Sequence, residues 1–254
     1  MIYIKYNGRF GNNLFQYAMG RILAEQYGHG LGSYKGENSV SLLNCQRALQ
    51  DKYSWTGPFI TLSGNRVELT AVPSGSIYLD GTFQRAEYYI QHRDKIKKWF
   101  EVPEIEFRPK NEDVVLHIRR SDFGYKHNGG MLPLDYYGDI LDNNEFGQVY
   151  ITGGCSHFGE KKDIDDQVKE YFQKYKPLYI TSDAIKTFRA IQKFKNVVQS
   201  MSTFCWWASF LSDEAERIYT PITNDGYWQK NGDINLMINN DVYVYVDNLK
   251  VEKF

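Results

Sequence analysis

Apolar residues in this chain fall into two patterns, and the second half shows both most clearly. Short runs rich in β-branched residues alternate with stretches whose apolar positions recur at helical spacing. The runs Val114–Ile118, Val149–Thr152, Leu178–Thr181, Val197–Gln199 and Arg217–Thr220 predict strands. Between them, helices are predicted over Leu134–Leu141, Asp163–Tyr175, Ala184–Phe194 and Phe204–Leu211, with Ser202 or Thr203 as N-cap of the last. Such alternation is the signature of a parallel sheet covered by helices. A further β-branched and aromatic run, Val242–Val246, predicts a final strand.

The first half opens on a short strand, Ile2–Tyr6, a glycine-bearing turn over Asn7–Asn13, and a helix carrying Leu14, Phe15, Ala18, Met19, Ile22 and Leu23 on its apolar positions. Gly28 is a natural stop for that helix, and Gly28–Gly36 reads as loop. The region up to residue 80 is less regular, with short turn-bounded runs at Pro58–Leu62 and Ser76–Leu79; a loop is predicted at Gly81–Gln84 and a helix over Ala86–Phe100. Glu101–Asn111 holds two prolines and mixed charge, which predicts a linker between two halves.

The candidate chemistry sits where the run Val114–Ile118 meets a knot of charge, His117-Ile118-Arg119-Arg120-Ser121-Asp122. A strand apolar throughout is buried on both faces. Guanidiniums cannot be buried along it without partners. The charged residues therefore belong at its carboxyl end, where open α/β sheets bind ligands. Two adjacent arginines suit a multiply charged anion, because the guanidinium fork matches phosphate oxygens and keeps its proton. An Arg-Arg pair also suits a surface turn with ordinary salt bridges. Both readings are open on the residues alone. The turn after the first strand likewise gathers backbone N–H groups at a helix start, a place for an anion or a sugar hydroxyl. The spacing of Gly8 and Gly11 is not that of a dinucleotide fingerprint, and close helix–sheet packing explains it equally.

Composition narrows the picture. The chain has 254 residues, 42% hydrophobic and 24% charged, with a net charge of −1, so general nucleic-acid binding is not expected and any anion site is local. Twenty tyrosines suit stacking on sugars as well as half-buried core. The three cysteines, Cys45, Cys155 and Cys205, form no Cys-x-x-Cys pair, and free thiols in a reducing compartment are expected. With no charged-then-apolar leader and no apolar stretch of spanning length, a cytoplasmic protein with no membrane span is expected.

Three stretches, in order, resemble one family. Gly8-Arg9-Phe10-Gly11-Asn12-Asn13-Leu14-Phe15-Gln16-Tyr17 is similar to the opening segment of the α-1,2-fucosyltransferases, glycosyltransferase family 11. His117-Ile118-Arg119-Arg120-Ser121-Asp122 resembles the H-x-R-R-x-D motif of that family and of the α-1,6- and nodulation fucosyltransferases. Ser202-Thr203-Phe204-Cys205-Trp206-Trp207 resembles the family's serine segment. Gly81-Thr82-Phe83-Gln84 with Tyr88-Tyr89, and Leu132-Pro133-Leu134-Asp135-Tyr136-Tyr137, are fainter echoes.

The resemblance implies a GT-B architecture of two Rossmann-like halves, here 1–108 on the acceptor side and 109–254 binding the nucleotide sugar. It implies an inverting transfer of L-fucose from GDP-fucose to a glycan hydroxyl, in α-1,2 linkage, with no permanently bound cofactor and no metal. Carried over, Arg119 is placed on the GDP diphosphate with Arg120 as its helper. His117 and Asp122 orient the loop or touch the donor. Ser202, Thr203 and Phe204 offer donors to the diphosphate, and Gly11, Asn12 and Asn13 approach the sugar or acceptor. Ser182 and Asp183 match an acidic strand-end segment near guanine or ribose; Asp183 also reads as a plain helix cap. Ser121 and Asn13 depart from the family's glycine and glutamine, and Ala184 stands where a second acid is common. Another GDP-sugar donor, or a domain binding glycan or nucleotide without turnover, is the competing expectation. His127, Asp80, Asp122 and Asp135 are candidates for the general base. Asp163-Ile164-Asp165 is the one D-x-D, and it reads as the acidic first turn of a solvated helix.

Overall fold

The computed structural model describes residues 1–33, 59–67, 75–120, 131–153, 166–223 and 233–249. Among these, two sheets of parallel strands and six α-helices make a mixed α/β, Rossmann-like fold. The chain divides into two compact units: Met1–Val102 with Asn231–Met237, and Pro103–Lys230 with Ile238–Phe254.

The first unit holds a four-stranded sheet in the order β2-β1-β4-β3, from β1 (Ile2–Ile4), β2 (Leu31–Ser33), β3 (Phe59–Gly64) and β4 (Ser76–Gly81). Helix α1 (Phe10–Tyr27) connects β1 to β2 and ends on Gly28 in the left-handed conformation. Its first turn, Phe10–Asn13, takes in residues read from the sequence as part of the glycine turn. Leu31–Ser33 was expected to be loop. It is instead a buried edge strand paired with β1, too short and glycine-broken to show a strand period. The expected single helix over Ala86–Phe100 is also broken. Two 3-10 turns, Ala86–Tyr88 and Ile90–His92, precede α2 (Arg93–Trp99). Tyr89 between them is fully buried, and its hydroxyl donates to the Phe83 carbonyl at 2.7 Å.

The second unit is a six-stranded sheet in the order β10-β9-β8-β5-β6-β7. Its strands are β5 (Val114–Ile118), β6 (Val149–Gly153), β7 (Leu178–Ile180), β8 (Asn196–Val198), β9 (Arg217–Thr223) and β10 (Tyr243–Leu249). The helices α3 (Leu134–Asp142), α4 (Asp166–Phe172), α5 (Ala184–Ile191) and α6 (Thr203–Phe210) alternate with them up to β9. Counting from β5 as the first strand, the order is 6-5-4-1-2-3, that of a full doubly wound sheet. The chain starts in the middle, winds out to β7, then crosses back to β8. The strand order therefore reverses between β5 and β8, and the crevice outside their carboxyl ends is the place such sheets bind ligands.

The break between the units falls at Val102/Pro103, earlier than the expected 108/109, and the reason is local. Glu104 is clamped by Arg189 of α5 and by Lys193 just past its end, and the Phe107 ring packs on Tyr150 and Phe194 at 5.6 and 5.5 Å. Residues 233–237 return to the first unit, where Asn235 pairs with Arg85 as in a strand, an arrangement that leaves no periodic trace in sequence. No helix among the described residues is long and apolar enough to cross a membrane.

Candidate functional site

The switch point of the second unit is built from three segments. Strand β5 is buried from end to end and delivers Arg119 and Arg120 at its carboxyl terminus. Strand β8 ends in Val198 and continues through Gln199, Ser200 and Met201 into α6. Gly153, at the end of β6, lies so close to β5 that a Cβ there would collide with the Ile118 carbonyl oxygen. Its φ of +77° is a conformation that side chains rarely adopt.

Helix α6 is apolar nearly all round. Trp206, Trp207 and Cys205 are fully buried, and the Trp206 ring stacks on Phe210 at 4.8 Å. Burial fixes its axis and leaves its first turn at the strand ends. Ser202 stands at the N-cap position with its side chain making no cap bond. The first N–H groups of any helix lack partners within it, so this end is polarised toward negative charge. Cys205 is a free thiol with its pKa pushed up to about 12 by burial, and is inert.

His117 joins the two strand ends. Its Nδ1 lies 2.7 Å from Ser200 Oγ, and its ring lies 5.8 Å from that of Phe204. Burial, then the nearby Arg119 charge, lower its pKa to about 3. The imidazole is therefore neutral near pH 7 and is too weak a base to take a hydroxyl proton there. It acts as a buried hydrogen-bonding strut.

The two arginines face different surroundings. Arg119 is half-buried and near enough to His117 to depress its protonation. Arg120 is 8% exposed, and its Nη2 donates to Gln167 Oε1 of α4 at 2.8 Å. Its Nη1 is buried without a hydrogen-bond partner among the described residues. The Arg120 charge also acts on the buried phenol of Tyr137, whose pKa burial holds well above the usual range.

Helix α3 braces these strand ends. The Tyr137 hydroxyl donates to the His117 carbonyl at 3.3 Å, and Tyr136 donates to the Gln199 carbonyl at 3.0 Å. Both tyrosines belong to the Leu132–Tyr137 stretch, whose chemistry the sequence left unread. Gln199 is fully buried with Oε1 taken by Thr220, while its Nε2 has no partner among the described residues.

Ser182 and Asp183 lie farther along the same carboxyl edge, past the end of β7. Asp183 caps α5: its Oδ1 accepts from the Lys186 backbone N–H at 2.9 Å, and this bond lowers its pKa. Ser182 shares a hydrogen bond with Thr187 at 2.9 Å. Phe188 of α5 meets Phe204 of α6 edge to face at 5.5 Å, so the two helices pack together. Asp122 and His127 lie outside the described residues, as do Ser121 and the Asp163–Asp165 pair.

The first unit gathers its own polar groups at the carboxyl ends of β1 and β4, which pair in parallel. Gly8 has φ +77°, and a Cβ on it would strike the Asn12 side chain. Asn13 and Gln16 are buried and lock the turn: Asn13 Nδ2 donates to the Asn7 carbonyl at 3.2 Å, and Gln16 Nε2 to the Gly81 carbonyl at 3.0 Å. Gly11 is buried in the same helical turn. Asn12 accepts from Gln84 at 3.3 Å. Asp80 is paired with Lys5 at 2.8 Å, and Asp135 accepts from the Tyr171 hydroxyl at 2.6 Å.

No protein-family model matches this chain, and neither a curated protein nor a solved structure matches it.

Proposed function

We propose that the chain is an inverting glycosyltransferase of GT-B architecture that moves L-fucose from GDP-fucose to a glycan hydroxyl, in α-1,2 linkage, in the cytoplasm and without a required metal ion. The observation that carries the reading is Arg120: a cation nearly removed from water, with one nitrogen unpartnered and no counter-charge among the described residues, at the switch point of a doubly wound sheet. A buried guanidinium without a counter-charge calls for an anion. The start of α6 and the half-buried Arg119 are on neighbouring segments, and the motif resemblance names the anion as the GDP diphosphate.

In this reading the bond between fucose C1 and the diphosphate oxygen breaks as an acceptor hydroxyl attacks C1 from the opposite face. Charge grows on the leaving diphosphate, where Arg119, Arg120 and the α6 N–H groups stabilise it as it develops. His117, neutral and tied to Ser200, keeps β5 and β8 in register at that point. The acceptor proton passes to a general base, for which His127, Asp122, Asp80 and Asp135 are the candidates.

Titration calorimetry with GDP, UDP and GDP-fucose, followed by a transfer assay with labelled donor in EDTA, tests the proposal. GDP binding at least about tenfold tighter than UDP, with fucose transferred or released, is the expected outcome. Preference for UDP, or no nucleotide binding, would overturn it.

A further inference from the structure

The structure assigns Gln167 a role in the proposed donor site: we propose that it positions the Arg120 guanidinium while leaving its charge unneutralised, so that the phosphoryl group of a nucleoside diphosphate completes the site. This rests on the diphosphate reading above.

Two other partly buried arginines are matched to carboxylates. Arg85 pairs with Glu87 at 2.7 Å, and Arg189 clamps Glu104. Arg120 is more shielded than these, yet among the described residues its one acceptor is the neutral amide oxygen of Gln167. An amide oxygen fixes the plane and direction of a guanidinium through Nη2 but cancels none of its charge. An acid is available one residue away. Asp166 has a 97% exposed side chain and pairs with Lys169 at 3.0 Å, so it stands in solvent rather than on Arg120. The result is an oriented cation with a buried, unpartnered N–H. A phosphoryl oxygen accepts such a donor and supplies the missing charge. If Arg120 served packing alone, a carboxylate at position 167 would satisfy it better than an amide.

The test is Gln167→Glu, which keeps shape and acceptor and adds one negative charge against Arg120. The probes are inorganic pyrophosphate and GDP, titrated into the full-length protein, with thermal unfolding followed in parallel. The expected result is a loss of affinity of at least about tenfold for both probes, with an unfolding temperature equal to or above the parent's. Gln167→Met, which removes the acceptor and leaves the charge, is expected to weaken both probes by a smaller factor. Should the Glu variant fail to fold, the Met variant decides. Wild-type affinity in whichever folded variant is read overturns the assignment.

The two proposals fail separately. A parent protein that binds pyrophosphate but not GDP, with pyrophosphate lost in Gln167→Glu, removes the fucosyltransfer reading and keeps Gln167. A parent that binds GDP, with the Glu variant binding it equally, does the reverse. A parent that binds neither removes both.

Discussion

At the scale of single residues, the site separates neighbours that sequence makes look alike. Arg119 and Arg120 are adjacent, but one is half-buried by His117 and the other is enclosed near Tyr137 and Gln167. The resemblance puts Arg119 on the diphosphate. Arg119→Ala should then lower kcat by about 10²- to 10³-fold, the effect of losing one donor to charge developing in a transition state. Unchanged turnover in a steady-state assay would remove Arg119 from that role. His117 yields a prediction in pH. Its folded pKa of about 3 lies below the ordinary 6.5, so the unfolded chain binds a proton the folded one refuses. The stabilisation is complete above about pH 6.5 and is lost as pH falls toward 3. Between pH 7 and 5 the loss should be roughly 2 kcal/mol for the second unit. Denaturant titrations at the two pH values measure it, and a folded His117→Asn variant should lose that part of the dependence. A parent slope identical to the variant's would refute the buried neutral state.

At the scale of elements, a capped helix and a strand report how much the chain declares in advance. Asp183 is committed to the start of α5 by its bond to the Lys186 N–H. Asp183→Ala should cost about 1 kcal/mol of stability in the second unit, and Asp183→Asn much less. Calorimetric unfolding checks both. A loss of GDP affinity in Asp183→Asn without loss of stability would instead put this carboxylate on the nucleotide. Strand β5 was legible because its five consecutive buried positions are apolar except for His117. Helices α3 and α5 were legible because each keeps a helical period, and α6 because an apolar stretch follows the N-cap signal at Ser202. What escaped was set by contacts rather than periodicity. Leu31–Ser33 becomes a strand because β1 offers it an edge. The Ala86–Phe100 segment breaks at Tyr89 because that phenol reaches inward to Phe83. The positions of Arg119 and Arg120 at a strand end followed from the cost of buried charge. Their division of labour did not, because it depends on Gln167, some fifty residues away on another helix.

At the scale of the whole molecule, the return of residues 233–237 makes the first unit depend on chain that comes after most of the second. Asn235 donates its backbone N–H to the Gln84 carbonyl at 3.0 Å, and the Ala86 N–H donates to the Asn235 carbonyl at 2.7 Å. Arg85 holds the Asp233 carbonyl at 3.0 Å, and Leu236 is fully buried. The Gln84 that this segment pairs with is the residue whose amide reaches Asn12 in the glycine turn. The late segment thus fixes the loop that supports the glycine turn after β1. Leu236→Ala should destabilise the first unit by about 3 kcal/mol, the usual range for a buried leucine whose surroundings relax only partly. The second unit holds its arginines on its own sheet, so GDP affinity should stay close to the parent's. Hydrogen exchange resolves the two units in one experiment: faster exchange across β1, β4 and α1 is expected, with β5 and β8 unchanged. Equal protection everywhere would mean that residues 233–237 lie on the first unit without supporting it. Faster exchange in both units would mean that the two sheets unfold as one, and that the chain's two-unit division is a matter of shape alone.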